Sequence, residues 1–173
     1  MLWLVSSSTD SAPSPGPASL RLSVGDAVTQ AGLLPPHSPT CAGCGPDNPH
    51  GLHLSVRREE DAVVADHVFD ARHVGAPGVA HGGAIAMAFD DLCGFLLYVL
   101  GELAVTRHLA VDYLTPVRLG DRYRLQAQHG PRDGRRLPVT ATMVDTSGHV
   151  VAKANATFVV VGVDHFERAA GNQ

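Results

Sequence analysis

The chain has 173 residues, 45% of them hydrophobic, and a net charge of −4. This supplies enough apolar surface for one domain with its own core, and the charge gives no general pull toward nucleic acid or an anionic membrane. Asp90 and Asp91 break the longest apolar run, residues 1–5 are too short for a signal segment, and three cysteines make no secreted disulfide framework; no membrane span and a cytoplasmic location are expected.

Residues 1–40 are expected to form a flexible arm. From residue 6 onward it is rich in Ser, Pro, Gly and Ala, as in Ser11-Ala12-Pro13-Ser14-Pro15-Gly16-Pro17, and lacks the apolar periodicity that offsets ordering entropy. Within it, Val24, Ala27, Val28 and Ala31 lie near one face of a short helix over residues 23–33. The domain proper is expected over residues 41–163. It opens with Cys41-Ala42-Gly43-Cys44-Gly45-Pro46-Asp47-Asn48-Pro49-His50-Gly51-Leu52-His53. Two cysteines at C-x-x-C spacing followed by His50 and His53 have the residue types of a zinc site. No second cysteine knuckle follows, and the close histidines suit strand alternation equally well. A Gly/Pro turn with packed thiols is therefore preferred, and neither metal nor cofactor is expected.

Residues 52–57 alternate apolar and polar, and residues 62–69 follow an acidic turn; the two runs read as a hairpin. Pro77-Gly78 then forbids an early helical start. The run from Gly82 to Leu100 is the only long segment that reads as helix, and it carries two carboxylates in an apolar body. Strands resume after Gly101. Residues 106–117 put Leu109, Val111 and Tyr113 on one face, and residues 123–128 form the next strand. Val139, Ala141 and Met143 alternate behind the Asp133-Gly134 hairpin signal. Residues 150–161 set Ala152, Ala154, Ala156 and Phe158 against Lys153, Asn155 and Thr157, and residues 164–173 are a polar tail. Short turns make antiparallel neighbours, and one helix must cover a face of the curved sheet they form. The fold class is α+β with a single central helix.

Residues 75–90, Gly75-Ala76-Pro77-Gly78-Val79-Ala80-His81-Gly82-Gly83-Ala84-Ile85-Ala86-Met87-Ala88-Phe89-Asp90, resemble the signature of hotdog-fold acyl-CoA thioesterases of the phenylacetate-pathway (PaaI-like) and thioesterase-superfamily types. The segment from Cys41 to Leu54 resembles the opening of many members, and the likeness extends over residues 41–161. It implies a curved antiparallel sheet wrapped around one long helix, assembly as a homodimer or dimer of dimers, and hydrolysis of acyl-CoA to free acid and CoA. Carried onto this sequence, it implies that the Gly82 amide polarises the thioester carbonyl. Asp90 serves as general base or nucleophile, and Thr106 orients the water. His81 caps the helix and steadies the oxyanion loop. Gly83, Gly75 and Asp91 are candidates for substrate contact, Gly75 standing where some members carry Asn or Gln.

The residues themselves support part of this chemistry. A helix start offers unpaired amides and a positive dipole end, and glycine lets a ligand approach the backbone. Asp90, nine residues beyond His81, lies about 13 Å along the helix axis, too far for one helix to present both groups to one carbonyl. Two antiparallel helices of a homodimer could do so. Adjacent helical residues point about 100° apart, so only one of Asp90 and Asp91 is expected to face the site; periodicity leaves the choice open and the family spacing selects Asp90. Cys93 reads as a core thiol rather than a nucleophile. Arg107, Arg118, Arg122, Arg132, Arg135 and Arg136 are open to two readings, solvated strand residues or contacts to the phosphates of CoA. The alternatives are a hotdog hydratase or dehydratase, which wants an Asp–His pair at one carbon, and a non-catalytic acyl-CoA-binding protein. An aromatic content of 5% leaves no obvious platform for an aryl acyl group.

Overall fold

The computed structural model describes residues 32–170. In chain order the elements are β1 (Arg57–Glu59), β2 (Ala62–Val68), β3 (Val74–Ala76), β4 (Val79–Ala80), α1 (Gly82–Gly94), α2 (Leu96–Leu100), β5 (Ala104–Tyr113), β6 (Arg122–His129), β7 (Arg136–Val144), β8 (Val150–Val160) and α3 (Val163–Ala170). Six strands form one sheet in the order β1-β2-β6-β7-β8-β5, while β3 and β4 pair separately just ahead of α1. All neighbours in the large sheet are antiparallel. The expected α+β arrangement forms, with a curved sheet around one central helix.

The core explains how sheet and helix meet. Helix α1 turns Ala84, Ile85, Ala88, Phe89, Leu92 and Cys93 inward, an i, i+1, i+4, i+5 stripe that suits a 3.6-residue repeat. Opposite it the strands present small residues: Ala127, Ala141, Ala152, Ala154 and Ala156 are all buried. Small side chains on the sheet let a helix bearing Phe89 and Leu92 approach closely, and burying Phe89 is worth about 1.5–3 kcal/mol. By length and composition Gly82–Leu100 would suit a membrane span, but half of it is buried as the core helix of the domain. Phe95 interrupts it with a helical φ/ψ, and Gly101 ends it in the left-handed region at φ 68.

Three expectations change. Residues 1–31 of the expected arm lie outside the described residues, as does most of the short helix over 23–33. Residues 32–40, assigned to that arm, instead pack on the domain. Leu33 bridges to Arg57, Leu34 is 7% exposed, and the Leu34 amide donates to the Val56 carbonyl. Burial of Leu34, with the backbone bonds to the 56–58 stretch, offsets part of the ordering cost that the segment's proline content suggested could not be met. The strand expected over 52–57 is displaced too. Leu52, Leu54 and Val56 are buried in alternation as read, but the amides of Leu52 and Leu54 donate to Ala42 and Gly43 in the cysteine loop, and the hairpin ladder begins only at Arg57. His53, at φ 54, breaks the extended backbone there. The polar tail begins as helix α3, stabilised at its ends by an Asp164–Arg168 pair one turn apart.

Candidate active site

The site begins at the start of α1. His81 is the N-cap, and its Nδ1 accepts a hydrogen bond from the Gly83 amide at 2.8 Å. A Cβ at Gly83 would lie 2.9 Å from that ring nitrogen, so the cap requires glycine there. His81 therefore has the capping role read from its position. Gly83 does not retain a free donor for substrate, because its amide is spent on the cap. The Gly82 amide is left at the helix start with no hydrogen bond among the described residues. Tyr113, at the end of β5, lies against it: its hydroxyl donates to the Gly82 carbonyl at 2.8 Å. The sequence reading placed Tyr113 on one face with Leu109 and Val111 but gave it no part in the site; the missed signal was a tyrosine, with its hydroxyl, ending an apolar face.

Further along α1, Thr106 Oγ1 donates to Asp90 Oδ1 at 2.9 Å. Simple alternation would set Thr106 on the opposite face from Leu109, Val111 and Tyr113. A bulge between Thr106 and His108 corrects this: Thr106 pairs with Phe158 and Leu109 with Ala156, two inward residues of β8, with Arg107 as the extra residue. The bulge is what turns the hydroxyl toward the helix.

Asp91 is not part of this surface. It points the other way, where its Oδ1 lies 3.0 Å from His37 Nδ1 and accepts from Cys41 Sγ at 3.3 Å. One helical step of about 100° separates the two carboxylates, which is why substrate contact cannot be shared between them. Gly75 packs closely on the loop ahead of α1: a Cβ there would lie 2.7 Å from His81 Cα. Burial raises the Cys93 thiol to about 12, and Cys93 is wholly enclosed, as expected of a core thiol. Burial also pushes the Cys44 thiol upward, with Asp91 adding to the effect. Of the residues expected at the site, the fold thus brings Asp90 to Thr106 and His81 to Gly82 and Gly83. Within one chain Gly82 and Asp90 remain eight residues apart on one helix, about 12 Å.

The chain can now be set beside known proteins. A sheet of this order curved over one long helix, with a histidine-capped glycine start and a carboxylate mid-helix, defines a hotdog-fold protein. The family model described as thioesterase superfamily matches residues 77–152. Acyl-coenzyme A thioesterase THEM4 of Rattus norvegicus is 32% identical over 91 residues, 52% of this chain and 39% of that protein. The crystal structure of a thioesterase superfamily protein superposes at a TM-score of 0.66 with 23% identity, covering 69% of this chain and 62% of the other. A Streptococcus mutans protein bound to acetyl-CoA superposes at 0.59 with 25% identity, covering 63% of this chain and 89% of the other. The fold is thus that of the hotdog proteins, and residues 77–152, under half of the chain, carry the match to the thioesterase superfamily. The chain spans less than two thirds of the length of the first two of these relatives.

Proposed function

We propose that this protein hydrolyses acyl-CoA thioesters to free acid and CoA in composite sites of a homodimer. The observation that carries the proposal is the pairing of Thr106 with Asp90 on a partly exposed flank of α1, together with a helix-start amide that the His81 cap leaves free. Asp90 takes a proton from water as the water oxygen attacks the thioester carbonyl, and Thr106, whose hydroxyl donates to Asp90, holds the carboxylate and accepts from the water. The resulting oxyanion is met by the Gly82 amide at a positive helix end. When the tetrahedral intermediate collapses, the C–S bond breaks, and the proton on Asp90 passes to the departing thiolate.

The separation of Gly82 from Asp90 along one helix requires the amide and the carboxylate to come from two chains. Strand β5 supports such pairing, for among the described residues it is the last strand of the sheet, with one ladder edge unused, and it carries both Thr106 and Tyr113. The relatives add support for the ligand: the rat protein is named an acyl-coenzyme A thioesterase, and the S. mutans structure holds acetyl-CoA. The hydratase alternative is weaker, because the described partner of Asp90 is a threonine and not a histidine. Release of free thiol from a panel of acyl-CoAs tests the reading. Asp90→Ala should abolish release while acyl-CoA still binds; turnover by that variant at the parent rate, or activity from a strict monomer, would sink it.

A further inference from the structure

We propose that His37, Cys41, Cys44 and Asp91 form a four-coordinate binding site for a zinc ion that ties the N-terminal loop of the domain to the middle of α1. This goes beyond the thioesterase reading and does not depend on it. It also reverses the expectation that the cysteines only pack, and replaces the histidines that sequence spacing offered. His53 Nε2 lies 2.6 Å from the Asn48 carbonyl, His50 is exposed, and neither joins the cluster.

The geometry is that of a closed site. One donor atom from each of the four residues lies within 4.8 Å of every other. A tetrahedral zinc with bonds of about 2.0–2.3 Å sets neighbouring N, O and S donors about 3.3–3.8 Å apart. Here His37 Nδ1 stands 3.0 Å from Asp91 Oδ1 and 3.3 Å from Cys44 Sγ, and Cys41 Sγ stands 3.3 Å from Asp91 Oδ1. An expansion of a few tenths of an ångström admits the ion, which would replace these contacts with four bonds. Two sulfurs, an imidazole and a carboxylate favour zinc over magnesium or calcium, which take oxygen ligands.

The surroundings are built to hold the donors. The Asp91 side chain is 8% exposed, and its second oxygen, Oδ2, is buried with no hydrogen-bond partner among the described residues. A carboxylate so enclosed, beside two thiols, lacks the compensation that buried charge needs, and a dication supplies it. The loop closes on Asp91 only because residue 43 is glycine: a Cβ there would fall 2.2 Å from Asp91 Cγ. Gly45 is equally constrained, since a Cβ would meet the Cys41 amide nitrogen at 2.3 Å. The His37 amide lies 3.2 Å from Cys44 Sγ, a contact that suits a thiolate. The His37 ring is held against Phe95 at 4.3 Å and stacked on Tyr98 at 5.4 Å, so its Nδ1 is fixed in direction. On binding, zinc displaces the two thiol protons and takes both thiolates as ligands.

The test uses the full chain, reduced and without a histidine tag. Elemental analysis of the purified protein should find about one zinc per chain, and the chelator-stripped protein should take up Co²⁺ with the visible and thiolate charge-transfer bands of a tetrahedral site, which Zn²⁺ then erases. Cys44→Ser and Cys41→Ser should drop zinc below about a tenth of an ion per chain, whereas His50→Ala and His53→Ala should keep it. Since a cysteine variant could fail to fold, the Co²⁺ spectrum of the unaltered protein decides independently. A reduced protein that holds no zinc and gives no such spectrum, or zinc retained by both cysteine variants, would overturn the proposal. Such results would leave a hydrogen-bonded thiol cluster or a Cys41–Cys44 redox pair.

Discussion

Two neighbouring residues of α1 divide the molecule. On one flank Asp90 is partly exposed and has one described hydrogen-bond donor, the Thr106 hydroxyl. On the other, Asp91 is enclosed by a loop carrying two thiols and an imidazole, close enough that glycine is required at residue 43. Both are aspartates on the same turn of the same helix. The carboxylate that keeps an open side can move a proton to and from a ligand, whereas the one walled in by donors can only hold structure together. Chemistry follows from what faces the side chain, not from its type.

The largest expected effect comes from exchanging one substitution between the two flanks. Asp90→Asn should cut kcat by about 10²–10⁴-fold, the range for losing a general base, with an unchanged melting temperature. Asp91→Asn should do the reverse, costing about 2 kcal/mol or more of stability while the folded fraction keeps kcat within a few-fold. If both variants lose activity at unchanged stability, the division is wrong. Next is the amide. Gly82→Pro deletes the N–H at the first helical position, where proline is tolerated, and His81 already has the extended backbone that precedes proline. It should lower kcat about 10²–10³-fold, the cost of one oxyanion donor, with circular dichroism intact.

A control lies apart from both flanks. His67 is buried edge-on to Phe69, and burial first, then His73, lowers its pKa from 6.5 to about 4. The unfolded chain therefore takes up a proton that the folded chain refuses between these values. Stability should be full above pH 6.5 and fall as pH drops toward 4, by about 3 kcal/mol in all. Denaturant melts against pH should show this slope, and His67→Phe should flatten it. The smallest effect is Thr106→Val, which removes one hydrogen bond to a carboxylate and should lower kcat about tenfold with little change in KM. A loss as large as that of Asp90→Asn would move Thr106 from positioning the base to a larger part in the reaction.

The fold was legible where local pattern and packing agree. The alternation of Ala152, Ala154, Ala156 and Phe158, and the apolar body of α1, survive intact as a buried sheet face and a core helix. Of the candidate site, the helix start at His81 and Gly82 was legible in the residues themselves, while Asp90 over Asp91 and the part of Thr106 came only from the family resemblance. Three features were not. His37 sits in a stretch whose proline content reads as an arm, and only tertiary packing of Leu34 and of the ring itself orders it. Thr106 faces the helix because of a bulge, which period-two alternation cannot encode. The direction of Asp91 depends on a loop some 50 residues earlier in the chain, a contact no local window contains.

The irregularity in β5 carries a wider consequence. Arg107 makes no step in the ladder, so shortening the chain by that one residue would leave every rung beyond it in register and the fold closed. It would also leave Thr106, then two positions from Leu109, on the same inward face and opposite the acid by plain alternation. A strand one residue shorter could therefore carry the same Thr106–Asp90 pair on an unkinked edge, so what the extra residue adds is the local bend and twist of that edge and not the hydroxyl's direction alone.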